Sequence, residues 1–387
     1  MEEKAAEVFA KYGAKEIRTP IFEATELFAR GVGDTTDIVN KEMYTFEKSE
    51  RSLTLRPENT AGVVRSFIEN GMHRLSAPVK LWYKGPMFRY ERPQAGRQRQ
   101  FHQVGVEVFG IKQPAADAEV ILMAVNYLKA LGLNDLSVEL NSLGCPECRE
   151  TFKTKLKEVI KPYLSQLCPD CQARYEKNPL RLLDCKVEEC KEIYAKPEIQ
   201  EVIQSDFICD ECAEHFTSLK EYLDALNINY SINKLLVRGL DYYNRTVFEI
   251  KSNNLGSQNA VCGGGRYDSL VRNLGGEDTP AIGFAMGMER LASLIGAKSE
   301  DKLTAFVVCN NPLEAIKLTE EMRGNGITCE FDLTNKKFVK QLEKASKTAK
   351  FALILGEDEI SSNQVTVKNL ETSEQKTVAR EDVFKII

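Results

Sequence analysis

The chain has 387 residues, 43% of them hydrophobic and 28% charged, the balance of a soluble globular protein with room for two or three domains. Lys and Arg total 52 against 57 Asp and Glu, a net charge of −5, so contact with nucleic acid would have to use local basic patches rather than a global field. No apolar run is long enough to span a membrane and the first residues lack a signal core, which points to a cytoplasmic protein with no membrane partner.

In chain order, residues 1–12 predict a helix with Ala5, Val8 or Phe9, and Tyr12 on one face, ending at Gly13. Ile17 to Glu23 predicts a strand whose Pro20 cannot donate to a ladder, so it belongs at an edge or interface. Tyr44 to Leu55 predicts a hairpin. In Arg56-Pro57-Glu58-Asn59-Thr60, Asn59 or Thr60 can cap a helix that turns Ala61, Val64 and Phe67 or Ile68 inward. Glu58 at that helix mouth either complements the dipole, worth ~0.3–1 kcal/mol, or holds a ligand's ammonium group.

Gly85 to Phe109 alternates with period two on both sides of a loop, predicting two strands. Met87, Arg89 and Glu91 share one face of the first. Gln103, Gly105 and Glu107 share one face of the second, with Val104, Val106 and Val108 on the core side. Gly105 leaves room for something to lie against the backbone. The loop holds Arg92, Arg97 and Arg99 with no acid between them. Fixed polar groups beside mobile guanidinium groups suit a polyanion such as a nucleoside triphosphate. The alternative is an amphipathic hairpin with a solvated face.

Residues 117–131 predict an amphipathic helix and Ser137 to Asn141 a strand. Eight of the eleven cysteines then fall in four close pairs, Cys145/Cys148, Cys168/Cys171, Cys185/Cys190 and Cys209/Cys212. That spacing could build two four-thiolate zinc sites; reduced buried thiols and a redox-sensitive insertion are the alternatives. Only His215 stands at a ligand-like distance from them.

Next come Arg238-Gly239-Leu240-Asp241-Tyr242-Tyr243 and Gly263-Gly264-Gly265-Arg266-Tyr267-Asp268. The glycine run reads either as a flexible turn or as a device that lets Tyr267 approach backbone. Ala281 to Leu291 predicts a glycine-punctuated strand entering a helix. From Thr304 a strand–helix–strand–helix–strand alternation predicts a small α/β domain with a parallel or mixed sheet. Its second helix sets Phe338, Leu342, Ala345 and Ala349 against an opposite stripe of Lys337, Lys340, Lys344 and Lys347, either a solvated face or a phosphate-contacting one.

Phe88-Arg89-Tyr90-Glu91 resembles motif 2 of the class II aminoacyl-tRNA synthetases, and Arg99 to Glu107 resembles the histidyl-tRNA synthetase form of it. The Arg238 and Gly263 stretches resemble that family's two histidine-specific motifs, Ala281 to Leu291 resembles motif 3, and the first helix and strand with Pro20 resemble motif 1, which forms the dimer interface. The resemblance implies an α+β fold: an antiparallel-sheet catalytic core (1–143 and 231–297), a helical cysteine-rich insertion (144–230) and a C-terminal α/β anticodon-binding domain (303–387). It implies a homodimer that activates L-histidine with ATP and Mg2+ and charges tRNA-His. The family also carries a short segment upstream, so the chain is expected to start trimmed or at an internal Met.

Roles follow from the same resemblance. Arg238 and Arg89 would be catalytic. Glu58, Asn59, Thr60, Gln103 and Glu107, with Tyr242, Tyr243 and Tyr267, would join them around histidine. Arg89, Glu91, Arg97 and Arg290 would hold ATP, and no catalytic metal ligand is assigned. The rival is a catalytically silent paralogue that regulates histidine biosynthesis. Such paralogues typically lack the Arg-Gly-Leu-Asp-Tyr-Tyr motif and the anticodon domain.

Overall fold

The computed structural model describes residues 1–33, 36–91, 97–205, 207–252, 260–296 and 302–387, in two compact units, Met1–Gly296 and Ala297–Ile387. Among the described residues the first unit carries an eight-stranded sheet. Its spatial order is Lys15–Glu16, Val79–Phe88, Gln100–Phe109, Ala281–Gly287, Ala260–Arg266, Asn244–Ser252, Leu136–Ser142 and Tyr230–Ile232. The six inner strands pair antiparallel, and the two short edge strands pair in parallel.

Period-two alternation places Val104, Val106 and Val108 on the face packed by the helices Glu2–Lys11, Pro114–Ala130 and Asp210–Ala225. Burying each such side chain contributes about 1.5–3 kcal/mol. The other face is covered as well. Tyr83, Met87, Phe109, Val247 and Tyr267 pack there with Val63, Val64 and Phe67 of the helix Thr60–Glu69. The hairpin's polar face is therefore not simply solvated: Met87 and Glu107 are buried, Glu107 only 1% exposed, while Arg89, Glu91 and Gln103 are half-buried.

Four local expectations are corrected. Ile17 to Glu23 is not one strand: pairing occurs at Lys15–Glu16 and again at Phe22–Ala24. Pro20 offers no donor between them, and the Thr19 carbonyl accepts from Arg56 Nη1 at 3.1 Å instead of from a ladder. The helix Pro114–Ala130 is not amphipathic, because Asp117, Val120, Ile121, Met123, Val125 and Leu128 bury it around most of its girth. Neither Asn59 nor Thr60 caps the next helix by its side chain. Glu58 does, accepting from Thr60 N at 2.7 Å and Ala61 N at 2.9 Å. Gly263, Gly264 and Gly265 form no turn; they lie within an inner strand.

After Ser142 the chain leaves the sheet. The helices Pro146–Ile160, Pro169–Lys177, Glu188–Tyr194 and Pro197–Gln204 enclose a core of their own around Leu156, Ile160, Leu182, Ile193 and Ile203. The helix Asp210–Ala225 instead returns Phe216, Leu219 and Leu223 to the main core. The residues expected as one insertion thus contain an inner helical body and a helix packed on the main sheet.

Among the described residues the second unit has a mixed five-stranded sheet, in the order Cys329–Phe331, Leu303–Cys309, Ala349–Leu355, Gln364–Asn369 and Gln375–Ala379. Its first three strands are parallel and the last two antiparallel. The lysine stripe is not uniform. Lys344 lies over the Phe306 ring at 5.0 Å and within 3.8 Å of Glu330, whereas Lys337, Lys340 and Lys347 are exposed. Among the described residues no helix is long and apolar enough to cross a membrane.

Candidate active site

The residues selected from the sequence separate into an open cleft and a buried cluster. Arg89, Glu91, Arg97, Gln103, Arg238 and Arg290 line a cleft of about 510 Å³ on the sheet. Glu58, Thr60, Glu107, Tyr242, Tyr243 and Tyr267 form a buried cluster beneath the helix Thr60–Glu69.

Arg89 leaves the end of its strand and donates Nε to the Pro57 carbonyl at 2.8 Å, with its guanidinium over the Phe101 ring at 5.4 Å. Its Nη1 lies 3.9 Å from Glu91 Oε1, and both residues line the cleft. Glu91 also accepts from Arg97 at 3.0 Å. Arg92 lies outside the described residues, and Arg99 stacks over Tyr90 at 4.4 Å instead of entering the cleft. Arg290 is set by the helix Met288–Ile295, whose Glu289 accepts from His102 N and Nδ1 at 2.9 Å. Burial first, and Arg97 next, lower the proton affinity of Arg290. Two guanidinium groups that repel each other across a cleft are stabilised by a polyanion between them. The buried Oε1 of Gln103 has no hydrogen-bond partner among the described residues.

Arg238 comes from the loop before the strand Asn244–Ser252 and folds back over the sheet. Nη1 donates to Glu249 in a very short contact, and its guanidinium rests where a Cβ on Gly263 would stand. Gly264 similarly receives Phe248, and Gly265 receives Tyr243. The glycine run therefore admits side chains from neighbouring segments. The neighbouring sequence offers Arg238 no evident partner; the fold supplies Glu249. The two lie eleven positions apart, and only the return of the loop over the strand joins them.

In the buried cluster Glu107 accepts from Thr60 Oγ1 at 2.7 Å and, more closely, from the Tyr267 hydroxyl. Burial pushes the Glu107 carboxyl up to about 8 and raises Glu58 in the same direction. Tyr242 packs against Tyr243 and Tyr267 with centroids 4.6 and 5.5 Å apart. Gly105 does not seat a ligand: a Cβ there would strike Tyr83 of the adjacent strand. Asn59 also turns away from this group, its Oδ1 accepting from Thr19 Oγ1 at 2.5 Å and from Arg56 Nη1 at 3.4 Å. Arg56 was not singled out, yet it ties the Arg-Pro-Glu turn to the hairpin through the Pro86 carbonyl at 2.8 Å. His215 bonds Asp117 at 2.8 Å and is taken up there, beside the fully buried Arg266.

Chemically, the arrangement pairs an arginine-rich anion cleft with a buried cluster of hydroxyl and carboxyl groups. The family Histidyl-tRNA synthetase matches residues 1–147 and 186–291, and Anticodon binding domain matches residues 304–387. A histidine–tRNA ligase of Desulforamulus reducens is 48% identical, the match covering 100% of this chain and 94% of that one. The crystal structure of apo S. aureus histidyl-tRNA synthetase superposes with a TM-score of 0.80 at 37% identity, covering 99% of this chain and 93% of that one. A structure from Bacillus halodurans described as an ATP phosphoribosyltransferase regulatory subunit/histidyl-tRNA synthetase superposes at 0.63 with 23% identity, covering 88% and 90%, a likeness of fold alone. The chain belongs to the histidyl-tRNA synthetase family.

Proposed function

We propose that the chain is a histidine–tRNA ligase: it condenses L-histidine with ATP to histidyl-adenylate and pyrophosphate, then passes histidine to the 3′ end of tRNA-His. The observation that carries this reading is the junction of the two halves of the site, an arginine cleft beside a buried tyrosine–glutamate cluster, with Arg238 over Gly263 and Tyr243 over Gly265 of one strand. Full-length relatives of that activity at 48% identity support it.

The ATP triphosphate would lie in the cleft, with Arg89 on the α-phosphate and the histidine carboxylate, and Arg97 and Arg290 on the distal phosphates. Glu91 would accept from the adenine amino group. As the carboxylate oxygen attacks the α-phosphorus, Arg238 would meet the charge developing there, held in place beforehand by Glu249 and by the gap at Gly263. Positioning and charge stabilisation together supply most of the catalysis in such a displacement.

The imidazole has one donor and one acceptor nitrogen when neutral. Glu107, Tyr243 and Tyr267 would satisfy both, and an apolar side chain would leave them unpaired, a selection that can reach ~10⁴–10⁵-fold. Glu58, Thr60 and Gln103 would hold the α-amino group, the open Gln103 oxygen being suited to it. Asn59 would act behind them, through Thr19 and Arg56. Mg2+ would enter with the ATP phosphates. The acids nearest them, Glu91, Glu249 and Glu289, are already paired with Arg97, Arg238 and His102, which suits a metal held mainly by substrate oxygens and water.

A cytoplasmic homodimer belongs to the same reading, the dimer supported by exposed Phe22 and Phe46 on one small sheet and by exposed Ile21 just before it. The regulatory alternative is disfavoured by the intact Arg238 motif and the anticodon-binding domain match. Charging of tRNA-His with labelled histidine tests the proposal. Histidine- and ATP-dependent charging is expected, and a protein that neither charges tRNA nor exchanges pyrophosphate would refute it.

A further inference from the structure

The eight cysteines of the insertion converge into two groups of four. Cys145 and Cys148 meet Cys209 and Cys212, while Cys168 and Cys171 meet Cys185 and Cys190, all four sulfurs of each group lying within 4.8 Å of one another. The groups are nested in sequence, the second wholly inside the loop closed by the first. In three of the four pairs the first cysteine is the N-cap of a helix and the second stands in its first turn, so both sulfurs point at one spot beside the helix N-terminus.

Three readings compete. Buried reduced thiols behave as small apolar groups and have no reason to gather sulfur against sulfur. Disulfides require sulfurs about 2.05 Å apart, whereas Cys145 and Cys148 stand at 3.4 Å and Cys168 and Cys185 at 3.9 Å. A zinc ion with Zn–S bonds of about 2.3 Å sets tetrahedral sulfurs about 3.8 Å apart, which those distances bracket. Backbone amides also aim at the sulfurs: Cys209 N donates to Cys148 Sγ at 3.1 Å and Cys168 N to Cys190 Sγ at 3.3 Å. Such donors favour thiolates over thiols.

We propose that the insertion binds two structural zinc ions, one in each four-cysteine group, and that they fix the wall and floor of the active-site cleft. The link is short in sequence. Arg149 follows Cys148 and donates to the Tyr243 carbonyl at 2.9 Å, holding the histidine-specific loop. Asp184 and Lys186 flank Cys185 and line the cleft. Between the second group's pairs, Asn178 donates to Asp241 at 2.6 Å and Arg181 to Asp37 at 3.1 Å. Each ion binds as the four thiols give up their protons, with no change of oxidation state.

The test is metal stoichiometry on the full chain, purified under reducing conditions without chelator, given Zn2+ and desalted. Two zinc ions per chain are expected, with one lost in Cys145→Ser/Cys148→Ser and one in Cys168→Ser/Cys171→Ser. Replacement by Co2+ should give the intense sulfur-to-cobalt absorption of a tetrahedral four-thiolate site, a readout on wild-type protein that does not depend on the variants folding. Fewer than two bound zinc ions, iron in either site, disulfides in the native protein, or zinc retained by both double variants would overturn the proposal.

Discussion

The sheet and the insertion of the first unit solve the same problem, holding polar groups still, by different means. The sheet buries apolar side chains on both faces, and its polar groups are pinned by main-chain ladders and by glycines that admit them. The insertion has short helices and a small core of its own, much of it sulfur. It reaches the site mainly through side chains that hold backbone or second acids, such as Arg149 on Tyr243 and Asn178 on Asp241. In the proposed reaction the groups that would meet the reacting atoms stand on the sheet's strands, loops and the helix Met288–Ile295, and the insertion would act by position.

The strongest way to break this comparison is to damage the sheet side. Arg89→Ala should lower histidine-dependent pyrophosphate exchange by about 10²–10³-fold, the usual loss for a charge-stabilising donor. An unchanged circular dichroism spectrum would show that the fold persists. Gly263→Ala puts a methyl group where the Arg238 guanidinium lies. Overpacking of this kind costs about 1–3 kcal/mol, and exchange should fall about tenfold to a hundredfold. Thermal melting and exchange rates together would expose either failure.

Arg149→Ala probes the insertion side. Losing a charge-assisted hydrogen bond of about 1.5–3 kcal/mol should loosen the loop and raise KM for histidine by about tenfold, with kcat less affected. Bound zinc should stay at the wild-type level, which separates positioning from collapse of the insertion. A kcat loss as large as that of Arg89→Ala would erase the distinction between the two regions.

The buried pocket carries a pH signature. In the folded chain Glu107 keeps its proton to about 8, whereas the unfolded carboxyl releases it near the ordinary value of about 4.3. Between those values the folded state binds more protons, so this group's contribution to stability falls as pH rises through that window. Glu58 is displaced in the same direction. Glu107→Gln should flatten, though not abolish, the decline of the urea midpoint from about pH 5 to 8. An unchanged slope would mean that Glu107 is ionised in the pocket.

The smallest effect belongs to the C-terminal unit. Charge reversal at Lys337 and Lys340 should reduce the log–log salt slope of tRNA binding by roughly 0.7–0.9 per lost phosphate contact and leave exchange unaltered. Lys344 is omitted because it already packs on Phe306 near Glu330. An unaltered salt slope would return the stripe to an ordinary solvated face.

Strands that alternate with period two, such as Gln100–Phe109, were legible because the pleat writes itself into the sequence. So were the arginines of the cleft, whose motifs are local. What escaped depended on contacts between distant segments. Tyr83 filling the space at Gly105 and Glu249 receiving Arg238 come from register and loop return. The cysteine spacing announced metal-like pairs, but four pairs do not say which joins which, and the nested pairing exists only in space. The last hairpin, Gln364–Asn369 with Gln375–Ala379, was missed because its strands are short and mostly polar on their outer side.

Histidine-dependent ATP–pyrophosphate exchange by the full chain, measured beside Arg238→Ala, tests the central claim most directly. The account expects clear exchange with histidine and none with apolar amino acids, and a loss of at least about 10²-fold in the variant with its fold intact. No exchange in the wild type, or a variant within a few-fold of it, would contradict the account.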